Sequence, residues 1–93
     1  MTLNIEHHVD KGLFLTILEG HRAYIHYELE DDTMYITHTN VPETLGGRGI
    51  AGELTEFALN TARQEGWKVV PQCSYTQAYL KRHPEFDDLR AWV

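Results

Sequence analysis

The chain has 93 residues, 8 of them Lys or Arg and 14 Asp or Glu, giving a formal net charge of −6 at pH 7. That acidic balance argues against a nucleic-acid binder held by phosphate neutralisation, and the length points to one domain, 1–93, that hides only roughly 60–65% of its unfolded surface. The lone cysteine, Cys73, excludes an internal disulfide and fits a reducing, cytoplasmic setting, and the N-terminus has no apolar signal core nor the chain any run of membrane-spanning length.

A first strand is expected over 3–10, turning at Lys11-Gly12 into a second over 13–18 that is apolar enough to be covered on both faces. Glu19-Gly20 leads to a third strand over 22–30, where Ala23, Ile25, Tyr27 and Leu29 alternate with Arg22, Tyr24, His26, Glu28 and Glu30. Asp31-Asp32 then turns into a fourth over 33–41, with Met34, Ile36 and His38 on one face. Short turns in succession favour an antiparallel meander.

Pro42 stops the fourth strand, because proline has no N–H to donate to a ladder. Gly46, Gly47 and Gly49 follow within four positions, and there the period changes. Ala51, Leu54, Phe57, Ala58, Thr61 and Ala62 recur at helical spacing, and Gly66 reads as the C-terminal cap. Trp67-Lys68-Val69-Val70-Pro71 is a short buried strand, so strand, helix and strand form a right-handed βαβ unit with parallel strands. Ser74 and Gln77 match a capping box, which predicts a second helix over 75–82 that ends before Pro84. The order ββββ–α–β–α predicts an α+β domain on one mixed sheet.

Glycines ahead of a helix N-terminus make an anion site, since the backbone approaches closely and unpaired N–H groups point outward. The Walker A pattern fails, because no Lys-Ser/Thr follows a glycine where it should. Gly47-Arg48-Gly49-Ile50-Ala51-Gly52 matches the dinucleotide fingerprint letter for letter, but its context does not. Residues 42–45 separate strand from loop, and no acidic residue follows Val70 to hold a ribose hydroxyl.

From Tyr35 to about Phe86 the chain resembles the acetyl-CoA-dependent N-acetyltransferases of the GNAT superfamily, whose pyrophosphate loop reads Q/R-x-x-G-x-G/A. Val41-Pro42-Glu43, Gly46-Gly47-Arg48-Gly49-Ile50-Ala51, Val69-Val70-Pro71 and Tyr79 carry the likeness. It is most similar to a compact branch with a Pro-x-Cys turn, here Pro71-Gln72-Cys73, and departs from the pattern at Gly46, where the family has Gln or Arg.

The resemblance implies a GNAT-like sheet with acetyl-CoA between splayed fourth and fifth strands. Its pyrophosphate would sit on the N–H groups of Gly47, Arg48, Gly49, Ile50 and Ala51, in the loop that Gly46 opens. Its pantetheine arm would run along Thr39, Asn40 and Val41, with a backbone N–H near Val41 on the thioester carbonyl. The implied activity moves an acetyl group to an amine acceptor, such as one on a protein, by direct attack or through acetyl-Cys73. A non-catalytic acyl-CoA-binding module is the alternative, and it needs neither Cys73 nor Tyr79. The larger relatives' helices after the first strand are missing, which leaves an open pocket for a large acceptor or a partner.

Each candidate group also has a plainer reading. Cys73, just before a helix N-terminus that favours thiolate, is an acyl acceptor, an acid/base, a pocket thiol, or a small buried residue. Tyr79 falls where the superfamily often has a tyrosine that protonates the CoA thiolate; otherwise it packs on the sheet, and Tyr75 is its substitute one turn earlier. His38 is the expected base for the amine, with His26 across from it, or else a satisfied sheet histidine. His7 and His8 are expected to be exposed. No His/Cys pair has zinc-ligand spacing, so no metal is expected. Glu28, Glu30, Asp31 and Asp32 form a solvated hairpin tip that would also attract a cationic acceptor. Arg48, Lys81 and Arg82 are the cations best placed for CoA phosphates.

Overall fold

Period-2 alternation in the first half of the chain becomes β1 (Ile5–His8), β2 (Leu13–Leu18), β3 (His21–Glu30) and β4 (Thr33–Asn40). The computed structural model describes residues 3–91. After β4 come α1 (Ile50–Glu65), β5 (Lys68–Pro71) and α2 (Ser74–Arg82), with 3-10 turns at Val9–Lys11, Glu43–Leu45 and Pro84–Leu89. The sheet order is β1-β2-β3-β4-β5, antiparallel as far as β4 and parallel between β4 and β5. This is the α+β mixed sheet with a meander, a βαβ unit and a C-terminal helix.

Turn chemistry fixes the register. Gly12 has φ of +62°, and a Cβ there would lie 2.1 Å from the Tyr27 carbonyl oxygen, so only glycine fits. Asp31 and Asp32 both have positive φ, 49° and 61°, the pattern of a type I′ hairpin, and aspartate tolerates it.

One face of the sheet is buried. Pairing sets Phe14 opposite Ile25 and Thr16 opposite Ala23, and Met34, Ile36 and Val69 join them under Leu54, Ala58 and Leu59 of α1, all at 0% exposure except Thr16 at 2%. Each large apolar side chain so buried contributes about 1.5–3 kcal/mol. Leu80 and Phe86 complete the same core from beyond β5.

Several expectations need correction. The second face of β2 is open: Leu13 and Leu15 are half-buried and Ile17 is 56% exposed. The first strand is shorter than 3–10, because the chain curls into a 3-10 turn at Val9. His7 is not exposed; it lies on the core face, stacked on Phe14 at 4.2 Å. Phe57 is 39% exposed, meeting Phe14 edge-on at 5.9 Å, since the buried stripe of α1 turns toward Thr55 and Leu59.

The most consequential correction concerns β4. His26 pairs with His38, but Tyr27 pairs with Ile36, so Thr37 is an extra residue, a β-bulge. A one-residue shift exchanges the faces beyond it. His38 therefore does not share a face with Met34 and Ile36. It turns to the open face beside His26, and Thr39 takes the inward place opposite Ile25.

Candidate functional site

The βαβ crossover builds the site. Parallel pairing of β4 with β5 ends at Ile36 and Pro71. The N–H groups of Gln72 and Cys73 both donate to the Ile36 carbonyl at 3.0 Å, and from there the strands part. Residues 37–40 of β4 thus keep an edge without a β5 neighbour.

The chain then turns through Glu43–Leu45 into the glycine loop. Gly47 and Gly49 have φ of +79° and +75°, which L side chains rarely adopt. Gly49 is the N-cap of α1 and has no side chain to spend on the helix donors. Glu53 N–H makes the first helical bond, to Gly49 O, so the N–H groups of Ile50, Ala51 and Gly52 have no partner inside the helix. They border a cavity of about 330 Å³ that Val41, Gly47, Gly49, Ala51 and Tyr75 help to line. Uncapped donors at a positive helix end, with no side chain filling the cradle, fit a phosphate group.

Gly46 differs from the glycines after it. Its φ is −63°, and its N–H is spent on Glu43 O at 2.9 Å. A Cβ at Gly46 would lie 3.1 Å from that carbonyl, which gives the local reason for a glycine where the motif has a longer side chain. The Arg48 side chain is directed elsewhere. It makes a two-pronged ion pair with Glu19 at 2.6 and 3.2 Å, reaching to the β2–β3 turn. Lys81 and Arg82 are exposed in the last turn of α2.

Cys73, rather than Ser74, is the N-cap of α2, and the expected capping box does not form. Gln77 instead donates its side-chain amide to Pro71 O at 3.1 Å. The Cys73 thiol donates to Thr39 Oγ1 at 3.5 Å; once ionised, it would accept from that hydroxyl. Burial raises the Cys73 pKa, but the Thr39 hydroxyl, the N–H groups of Thr76 and Tyr75 and the Thr76 hydroxyl outweigh it, leaving the thiol below its ordinary 9.0. The N–H groups among them make no cap bond of good geometry to the sulfur and act on it as aligned dipoles at a helix N-terminus. Thr76 is fully buried, and its hydroxyl has no hydrogen-bond partner among the described residues.

Both tyrosines of α2 face α1, with the Tyr75 hydroxyl and Tyr79 Cε2 at 3.6 and 4.0 Å from where a Gly52 Cβ would stand. Tyr75 borders the loop cavity. Tyr79 stands behind it, its ring stacked on His83 at 3.9 Å. Burial raises both phenols, opposed by Arg82 at Tyr75 and reinforced by Glu56 at Tyr79, so both hold their protons at neutral pH. On the open face Glu28 and Glu30 border a hollow of about 220 Å³ with Tyr35 and Gln72.

A family model described as GCN5-related N-acetyl-transferase matches residues 14–89. The chain belongs to this family. It is 34% identical over 86 residues to protein NATD1 of Xenopus tropicalis, covering 89% of this chain and 79% of that protein. Human NATD1 is also 34% identical, over 88% of this chain and 75% of its own length. Among solved structures, a GCN5-like protein from Staphylococcus aureus superposes with a TM-score of 0.77 at 23% identity, covering 98% of this chain and 90% of that one. That likeness shows the GNAT fold.

The structure brings Thr39, Cys73, Tyr75 and the glycine loop to one end of the β4–β5 gap, with Tyr79 behind them. His38 stands on the other face of the sheet. The sequence carries no signal that marks Thr37 or Thr76. A bulge leaves no mark on the strand that carries it, and a threonine at helical spacing looks like any polar surface residue.

Proposed function

We propose that the chain binds acetyl-CoA at the glycine loop and transfers its acetyl group to an amine. The observation that carries this reading is the uncapped α1 N-terminus opening on the cavity beside the free edge of β4. Acetyl-CoA supplies an acetyl group activated as a thioester. The N–H groups of Gly47, Arg48, Gly49, Ile50 and Ala51 would hold its pyrophosphate, and the edge at Thr39, Asn40 and Val41 its extended arm. Backbone N–H groups at that edge would polarise the carbonyl; one such donor contributes roughly 3–4 kcal/mol in a dry site. Tyr75 and Tyr79 keep a proton available for a departing thiolate. Cys73, biased toward thiolate, offers the alternative route through an acetyl-cysteine. The reading goes with a reducing, cytoplasmic setting, in which a lone thiol stays reduced.

The test is calorimetric titration with acetyl-CoA, followed by intact mass and assay against primary amines. Binding with turnover is expected, and Gly47→Ala with Gly49→Ala should weaken it at least about tenfold, since each alanine disfavours the left-handed backbone by roughly 1–2 kcal/mol, so that the free loop relaxes and must be forced back into the cradle on binding. Absence of binding would end this reading. Binding without turnover toward any amine would leave a non-catalytic acyl-CoA-binding module. A gain of one acetyl group that is lost in Cys73→Ala would select the acetyl-cysteine route.

A further inference from the structure

Three polar contacts converge on one oxygen at the β4 bulge. Thr37 Oγ1 lies 3.2 Å from the His26 carbonyl oxygen, 2.7 Å from His26 Nδ1 and 3.1 Å from His38 Nδ1. A hydroxyl has one hydrogen and two lone pairs. A carbonyl oxygen only accepts, so the contact with His26 O uses that hydrogen. The two lone pairs remain for the two rings, and each Nδ1 must then bring its own hydrogen. A single assignment makes all three bonds, and in it both neutral imidazoles are protonated at Nδ1. Each Nε2 is left with a lone pair.

The fold supplies the reason for this arrangement. Thr37 is the extra residue of the bulge, so it stands outside the regular ladder between the paired His26 and His38. The two rings are 6.1 Å apart on the open face of the sheet. They also adjoin the stretch of β4 that has no β5 neighbour.

We propose that Thr37 is a positioning residue, fixing His26 and His38 in the Nδ1–H form so that an Nε2 lone pair takes the proton of an amine arriving over the open face. The purpose rests on the acetyl-transfer reading above; the tautomers do not. An ammonium acceptor must lose one proton before its nitrogen has a lone pair for attack. In that step an N–H bond of the ammonium breaks, an Nε2–H bond forms, and the imidazolium keeps its Nδ1–H bond to Thr37. In the opposite tautomer the lone pair would lie at Nδ1, turned toward the backbone and Thr37, away from an incoming amine.

Long-range proton–nitrogen correlation spectra of nitrogen-labelled protein, recorded with the imidazoles neutral, read the tautomer of each ring. The Nδ1–H form is expected for both His26 and His38, unchanged in Thr37→Ser. Thr37→Val removes the shared oxygen and should release at least one ring to the Nε2–H form. An Nε2–H form at either ring in the unmodified protein overturns the proposal whether or not the valine variant folds, and so does a valine spectrum that does not change. With an acceptor amine in hand, Thr37→Val should lower kcat about 10-fold at nearly constant KM, a part of the roughly 10²–10⁴-fold that a general base contributes. Tautomers as expected in a protein that transfers no acetyl group would refute the purpose and the acetyl-transfer reading together. A kcat that ignores Thr37→Val in an active enzyme would refute the purpose alone.

Discussion

The thiol of Cys73 meets the hydroxyl of Thr39 at 3.5 Å, across 34 positions of sequence. The contact joins the N-cap of α2 to the free edge of β4, and it exists because the Thr37 bulge turns Thr39 inward. Its hydroxyl is the first of the groups that pull the thiol down against burial. Thr39→Val should therefore raise the Cys73 pKa, leaving less thiolate at a given pH and slowing alkylation by iodoacetamide. Thr39→Ser should keep the unmodified rate. Equal alkylation profiles for all three proteins would remove Thr39 from the account.

The sequence made the crossover readable because its signals are local. Pro42 forbids continuation of the strand, Gly47 and Gly49 mark a left-handed turn, and the change from period 2 to period 3.6 marks α1. Non-local relations were hidden. Met34, Ile36 and His38 alternate without a break, yet the bulge that separates His38 from them is defined only by the register of β3. Arg48 reads as a phosphate ligand until the turn that carries Glu19 lies beside it, 29 residues back. Ser74 rather than Cys73 reads as the cap, because serine is the better acceptor; the chain enters α2 one residue earlier, where Cys73 N–H is held by Ile36 O.

The Arg48–Glu19 pair yields a prediction about cofactor affinity. Both groups are at the surface, where their attraction is screened and adds little to stability. Glu19→Gln should leave thermal unfolding nearly unchanged while freeing the guanidinium beside the loop. Acetyl-CoA should then bind more tightly at low ionic strength, with the gain fading as salt is added. A gain that survives high salt, or no gain at all, would show that Arg48 stays away from the phosphates.

His7 couples the core to pH. Burial lowers its pKa from 6.5, with Glu65 opposing and His8 assisting, and Nε2 meets the Tyr27 hydroxyl at 2.6 Å. The unfolded chain thus takes up a proton on His7 at a higher pH than the folded one. Stability from this group is complete above pH 6.5 and is lost as pH falls from there through the lowered folded value. Urea midpoints should drop between pH 7.5 and pH 5 in the unmodified protein. His7→Phe keeps a ring on Phe14 but leaves Tyr27 without its partner, costing about 1–3 kcal/mol at neutral pH, and should show a flatter profile. An equal slope in both proteins would assign the pH response to other groups.

Gly52 separates stability from binding. It sits in the first turn of α1, where a Cβ would touch the Tyr75 hydroxyl at 3.6 Å and Tyr79 Cε2 at 4.0 Å, ordinary contact distances. Nothing in its backbone requires glycine, so Gly52→Ala should raise stability by about 0.5–1 kcal/mol through the lost entropy of the unfolded chain. The same methyl stands in the wall of the loop cavity, between the free helix donors and Tyr75. Acetyl-CoA should therefore bind the alanine variant more weakly even as its melting temperature rises. A variant that gains both stability and affinity would mean that the ligand does not use this wall. One that loses both would mean that the α1–α2 contact is too tight for the added methyl.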